Sequence, residues 1–304
     1  MRVFLVAGLT AFAMLLAPLA KAQQPAEQRP CFNFTDEVSP EQRVSACTAV
    51  IETGGTSPQN LSAALINRGN IYLARQDYDR AFEDYDHAAR ANPASAVALH
   101  NRGLVNHRKS QYDRAIEDFD QALRLNPKYA LAFANRGNAY RMKGQYDRAI
   151  EDCTQAIALN PNLPLAFYTR AAAYQDRAQW DFDAYLTPGR YEDLAIHDYD
   201  EVIRLNPKNT DAYRNRGTLY HKAHQYDRAI ADFDEAIRID PNVASSFVAR
   251  GLALRFAGQY DRAIADYRKA LTLNVDGATK LGIEVSLKQL GAAIVAAPGS
   301  LTAR

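Results

Sequence analysis

QYDRAIEDFDQALRLNP (residues 111–127) returns as QYDRAIEDCTQAIALNP (145–161) and as QYDRAIADFDEAIRIDP (225–241). Its last letter sets a period. Pro93, Pro127 and Pro161 are 34 residues apart, Pro207 and Pro241 are again 34 apart, and the step between Pro161 and Pro207 is 46, or 34 with a 12-residue insert. A fixed spacing of this size marks an array of stacked repeats. Six units follow: 62–95, 96–129, 130–163, 164–209 with the insert at 182–193, 210–243 and 244–277. The sixth carries Val275 in place of proline, and end units of arrays are commonly atypical.

Each unit reads as two helices. In the third, Leu131, Phe133, Ala134, Gly137 and Tyr140 recur at spacings of three and four, an apolar helical face. Gly144 ends that helix, since glycine adopts the left-handed conformation just past a C-terminus. Residues 146–159 form the second helix, with Asp147 opposing the positive end of its dipole. Asn160-Pro161 stops it. Gly137 and Ala149 are the small residues that let the two helices approach. Neither helix buries its stripe alone, so the pairs must stack.

At these residues the chain resembles the tetratricopeptide repeat (TPR) family, whose motif is met by Phe133, Gly137, Tyr140, Ala149, Ala156 and Pro161 and by their counterparts in the other units. The resemblance covers residues 62–277 and implies an all-α fold, a right-handed α-solenoid of six hairpins. One departure is systematic. Where the family motif has leucine before the glycine, this chain has Arg68, Arg102, Arg136, Arg170, Arg216 and Arg250. An inward arginine needs a partner. Asp84, Asp118, Asp152, Asp198, Asp232 and Asp266 recur in all six second helices, about as far from each turn, so ion pairs within each unit are predicted. The alternative lines a ligand groove with the six arginines. Asp120–Arg124 and Asp234–Arg238, four apart with the acid first, read as helix-stabilising pairs.

The ends differ from the units. Residues 1–22 read as a secretory signal peptide: Arg2, an apolar run over 3–19, then Ala20-Lys21-Ala22. A retained membrane anchor is the rival reading. The full chain of 304 residues has a formal charge of +1, and losing Arg2 and Lys21 leaves 34 bases against 35 acids. Such neutrality gives no electrostatic footprint for nucleic acid or anionic lipid. No later run is apolar enough to span a bilayer, so a periplasmic or secreted product is expected. In an oxidising compartment Cys31 and Cys47 should be bridged, stabilising by about 3 kcal/mol. Cys153 replaces Phe119 and Phe233 of the repeated phrase and reads as a small buried filler or, alternatively, a reactive thiol.

Residues 23–61 are expected to form an N-terminal cap in which 40–53 is a lone second helix tied to Cys31. Residues 278–304 should supply a C-terminal capping helix over 278–295, with a stripe of Ile283, Leu287, Leu290 and Ile294. The polar stretches 23–30 and 298–304 are expected to be disordered. Asn33-Phe34-Thr35 matches a glycosylation acceptor.

In the TPR family the first helices line a concave groove for extended peptides or partner helices. The residues here that match that face include Asn67, Asn101, Asn135 and Asn215, with Asn70 and Asn138 a turn further on. An asparagine amide donates to and accepts from a peptide backbone at once. Arg108, Arg141, Lys222 and Arg255, with His107 and His221 beside them, would make the wall positive and favour an acidic segment or a C-terminal carboxylate. In the alternative the asparagines only satisfy neighbouring backbone and the cations are solvated. Thr169 and Asp176 break the pattern in the fourth unit.

The insert gathers Phe182, Tyr185 and Tyr191 beside Trp180, the single tryptophan. These aromatics form either a longer hairpin packed on its neighbour or a partner-binding knob. No phosphate loop, zinc spacing or serine elbow appears, and no cofactor is implied. His221 and His224 lack a third metal ligand in the sequence nearby. The leading expectation is a non-enzymatic scaffold for protein partners in envelope assembly or secretion. The alternative is a hydrolase or sugar-transfer enzyme built on the insert and the groove histidines.

Overall fold

A computed structural model of the chain describes residues 29–32, 38–53, 56–179 and 189–296. The signal-peptide reading, the glycosylation acceptor, most of the insert and the last eight residues lie outside them. The chain forms two compact units that divide after Pro161. Among the described residues every regular element is a helix, and the helices are numbered here in chain order.

In the first unit α1 (Arg29–Phe32) and α2 (Pro40–Glu52) precede three hairpins: α3 (Pro58–Ala74) with α4 (Tyr78–Ala91), α5 (Ala96–Arg108) with α6 (Tyr112–Leu125), and α7 (Ala130–Met142) with α8 (Tyr146–Leu159). In the second, α9 (Pro164–Ala178) pairs with α10 (Arg190–Leu205), α11 (Thr210–Lys222) with α12 (Tyr226–Ile239), and α13 (Ala244–Phe256) with α14 (Tyr260–Leu271). Then α15 (Gly277–Ala296) follows. Within each unit, helices pack on their successors, so both are stacks of helix hairpins, an all-α solenoid fold.

Two backbone devices make the hairpin. A Cβ placed on Gly103 would lie 2.8 Å from Phe119 Cε1, so the two helices meet with no room for a side chain. At the turn, Gly144 and Gly258 have φ of 74° and 76°. The same place in other hairpins holds Gln76, Ser110 and His224 at φ between 59° and 61°, a conformation that costs a side-chain-bearing residue about 1 kcal/mol.

The front of the first unit is closed covalently. Cys31 and Cys47 form a disulfide and are both buried, with Ala46, Val50 and Ala64 around them. Arg29 and Pro30, expected to be disordered, are helical, because the bridge at Cys31 anchors α1. Ser39 caps α2 reciprocally with Gln42. Cys153 is buried against Gly137. At the other end Ile283 and Leu290 are buried with Phe247 and Tyr267, and Leu287 packs beside them, as the stripe predicts for these three; the Ile294 side chain lies outside the described residues.

All six arginine–aspartate pairs form. Arg136 donates from Nε and Nη2 to the two carboxylate oxygens of Asp152, each at 2.7 Å. Arg68–Asp84, Arg170–Asp198, Arg216–Asp232 and Arg250–Asp266 repeat this two-pronged geometry, while Arg102 places both nitrogens on one oxygen of Asp118. Nη1 does something the sequence reading missed. It reaches back to the preceding second helix, from Arg102 to Asp86 at 2.8 Å, Arg136 to Asp120 at 2.6 Å, Arg216 to Asp200 at 2.5 Å and Arg250 to Asp234 at 2.6 Å. Arg68 finds Thr48 of α2 in the same way, at 2.8 Å.

Each of these guanidiniums thus closes its own hairpin and fastens it to the one before. The Asp120–Arg124 and Asp234–Arg238 pairs expected along single helices give way to this arrangement. Asp120 and Asp234 turn to the arginine of the next hairpin, and Arg238 pairs with Glu235 instead. Burial pushes the Asp118, Asp152 and Asp232 carboxyls upward against the pull of their arginines. Burial also pulls the Arg136 and Arg216 guanidiniums down, but their pairs of aspartates outweigh it and the net shift is upward.

Candidate functional site

The first helices carry the asparagines, and the structure shows where each amide goes. In the first unit Asn70, Asn101 and Asn135 join a chain of hydrogen bonds, and Asn67 bonds separately. Asn67 Nδ2 donates to the Cys31 carbonyl at 3.0 Å. Asn70 Oδ1 accepts from the Tyr85 hydroxyl at 2.7 Å and from Asn101 Nδ2 at 3.1 Å. Asn101 Oδ1 faces His100 Nδ1 at 3.0 Å, and His100 Nε2 faces Asn135 Nδ2 at 3.0 Å. These partners fix one consistent direction: His100 donates from Nδ1 and accepts at Nε2, so it is neutral. Burial agrees, pushing its pKa down to about 4 against the smaller opposing effect of Asn101. The ring lies between Phe119 and Tyr129, with centroids 5.6 and 4.8 Å away.

His100, Tyr85 and Tyr129 escaped the sequence reading. The register position of His100 holds Ile66, Ala134, Tyr168, Arg214 and Val248 in the other hairpins, so no recurrence pointed to it. The recurring tyrosine of the second helix was the available signal for the bond to Asn70.

The rail uses only part of each amide other than that of Asn101. Asn101 is buried and engaged at both ends, whereas Asn67, Asn70, Asn135 and Asn138 are half-buried. Asn135 keeps its carbonyl oxygen and Asn70 its NH2 outside these bonds. Asn138 Oδ1 accepts from Arg141 Nε at 3.3 Å, and its NH2 likewise stays outside. Acceptors and donors are therefore offered on one set of first helices, as an extended backbone requires.

The positive charge lies at the C-terminal ends of those helices. Arg108 is exposed, and Arg141 is half-buried. Burial first, then Arg108 and Arg141, push the pKa of His107 down to about 4. In the second unit Asn215 donates to the Tyr168 hydroxyl at 3.0 Å and the Tyr199 hydroxyl at 3.2 Å. Lys222 is exposed, and Arg255 donates to Gln289 and lies over the Phe256 ring. Thr169 is buried.

Of the insert aromatics, Trp180, Phe182 and Tyr185 lie outside the described residues. Tyr191 is buried, stacked on Tyr174 at 6.1 Å with Arg177 over its ring at 5.2 Å. The groove histidines also have aromatic neighbours, His107 with Tyr112 and His221 with Tyr226 and Phe256. Among the described residues no three His, Cys, Asp or Glu side chains gather as metal ligands would, and no helix is long and apolar enough to cross a membrane.

Comparison with known proteins settles the family. Tetratricopeptide repeat profiles match residues 62–95, 96–129, 130–163, 210–243 and 244–274. The chain belongs to the tetratricopeptide repeat family. None of the curated proteins matches it.

Among solved structures, a TPR protein from Parabacteroides merdae ATCC 43184 shares 21% identity with a TM-score of 0.60, over 86% of this chain and 96% of that one. Pseudomonas aeruginosa pilF shares 17% identity with a TM-score of 0.63, over 76% of this chain and 100% of that one. A chain of the APC/C hetero-tetramer Cut9–Hcn1 shares 18% identity with a TM-score of 0.62, over 84% of this chain and 50% of that one. Identities this low show the fold alone. TPR hairpins form a scaffold for protein–protein interaction, and the chain has that scaffold.

Proposed function

We propose that this protein is an exported, non-enzymatic TPR adaptor that holds an extended acidic segment of a partner on its first helices, in envelope assembly or secretion. The observation that carries this reading is the half-engaged asparagine rail beside Arg108 and Arg141. Asn135 offers an acceptor and Asn138 a donor to a peptide backbone, and the cations select the segment by charge. The leader-like residues 1–22 and the Cys31–Cys47 bridge support export.

A labelled ten-residue acidic peptide with a free C-terminus, its amidated form and a lysine-rich counterpart test the ligand by fluorescence anisotropy. The acidic peptide should bind best, and Arg108→Glu with Arg141→Glu should weaken it by about tenfold. Binding that ignores both the peptide charge and the double variant would refute the reading. Fractionation of the source cells tests export separately, with a shortened product outside the cytoplasm as the expected result.

A further inference from the structure

The helix α15 stands in register with the first helices. Ala278, Leu281, Glu284, Val285 and Gln289 each lie 34 residues beyond Ala244, Phe247, Arg250, Gly251 and Arg255 of α13. The side chains keep that register, for Arg255 donates to Gln289 at 3.0 Å, and Ile283 packs into the core of the last hairpin. By position α15 is the first helix of a seventh hairpin.

In complete hairpins two of these positions are covered by the unit's own second helix. The glycine position meets Tyr85, Phe119, Cys153, Phe233 or Tyr267 from that helix. Four residues earlier, Leu65, Leu99, Phe167 and Phe247 are between 3% and 7% exposed, and Phe133 and Tyr213 are half-buried. On α15 the same places hold Val285 and Leu281, which are 47% and 62% exposed. A third position faces the same seam, the one from which every other first helix sends an arginine to the aspartate of its second helix. Here it holds Glu284, which is exposed and has no ion-pair partner among the described residues. Lys280 and Lys288 lie one turn to either side.

We infer that α15 is a docking seam for a helix from a different protein, one that completes a seventh hairpin and carries a basic residue opposite Glu284 and a small residue opposite Val285. Charge and shape both argue against a second copy of this chain. Its six second helices bring an aspartate to that position, which would face Glu284. Five bring a tyrosine or phenylalanine against the glycine or alanine position, and Val285 leaves no room for an aromatic at that close approach. A helix with a lysine or arginine and a small residue at those two places meets both demands at an ordinary interhelical distance.

Two stapled peptides on the α14 sequence test this. Both carry Tyr267→Ala, and one also carries Asp266→Lys. Titrated into the full chain, the lysine peptide should bind about tenfold more tightly than the aspartate peptide. Glu284→Lys should reverse that order, and Leu281→Asp should abolish binding of both while leaving the helical circular dichroism unchanged. Equal binding of the two peptides, no binding of either, or an order indifferent to Glu284→Lys would overturn the inference. So would a concentration-dependent dimer of the unliganded chain that Leu281→Asp dissolves, since that result gives the seam to a second copy.

Discussion

Arg250 in α13 and Glu284 in α15 stand 34 residues apart at the same place in the repeat, and they make opposite surfaces. Arg250 donates to Asp266 of its own hairpin and to Asp234 of the preceding one, and its neighbours are covered. Glu284 pairs with nothing described, and Leu281 and Val285 beside it are open. The arginine column is therefore what distinguishes a closed hairpin from an unfinished one. A guanidinium has five donors in a fixed fork, so one side chain can serve two second helices at once, which a leucine cannot.

The contrast is broken most severely at an interior arginine. Arg136→Ala leaves the buried Asp152 without its guanidinium and removes the bond to Asp120, and should cost about 3–5 kcal/mol in urea unfolding. Glu284→Ala at the same register should change stability by no more than about 0.5 kcal/mol. Equal effects would erase the distinction.

A second test uses pH. The unfolded chain protonates His100 and His107 near pH 6.5, whereas the folded chain resists until about 4. The histidine contribution to stability should therefore fall as pH drops from 6.5 to 4 and level off below. Each histidine contributes about 3 kcal/mol at most to that fall. His100→Gln should flatten part of the slope, and an unchanged slope would mean that the rail histidine is not held neutral.

Packing gives a smaller effect. Gly103→Ala forces a Cβ to within 2.8 Å of Phe119 and should cost about 1–3 kcal/mol. Val285→Ala, at the matching place on the open seam, should be close to neutral in thermal denaturation. Smallest is the turn, where Ser110→Gly relieves a φ of 59° and should raise stability by about 1 kcal/mol.

The hairpins, their turns and the six Arg–Asp pairs could be read from the sequence because each recurs with the period, and recurrence separates a structural role from an incidental residue. The second aspartate column was visible too, yet its meaning was hidden. Asp120 and Asp234 lie four residues before an arginine on their own helix, and that nearer partner masked the one in the next hairpin. Asp86 does serve both, pairing with Arg90 and with Arg102. His100 occurs once, so periodicity said nothing about it, and only the fold brings Asn101 and Asn135 to its two nitrogens. The C-terminal stripe was legible as a packing face, but the opposite face of α15 was not. Its exposure depends on there being no covering helix among the described residues, and no single residue encodes that.

A double-mutant cycle between Arg136 and Asp120 tests the central claim most directly. These residues lie in different hairpins and are joined by one bond of 2.6 Å. If the arginine column fastens successive hairpins, Arg136→Ala and Asp120→Ala should lose less together than the sum of their separate losses, by about 1 kcal/mol or more. Strict additivity, with the Arg136–Asp152 cycle coupled in the same protein, would show that the arginines close single hairpins and do nothing between them.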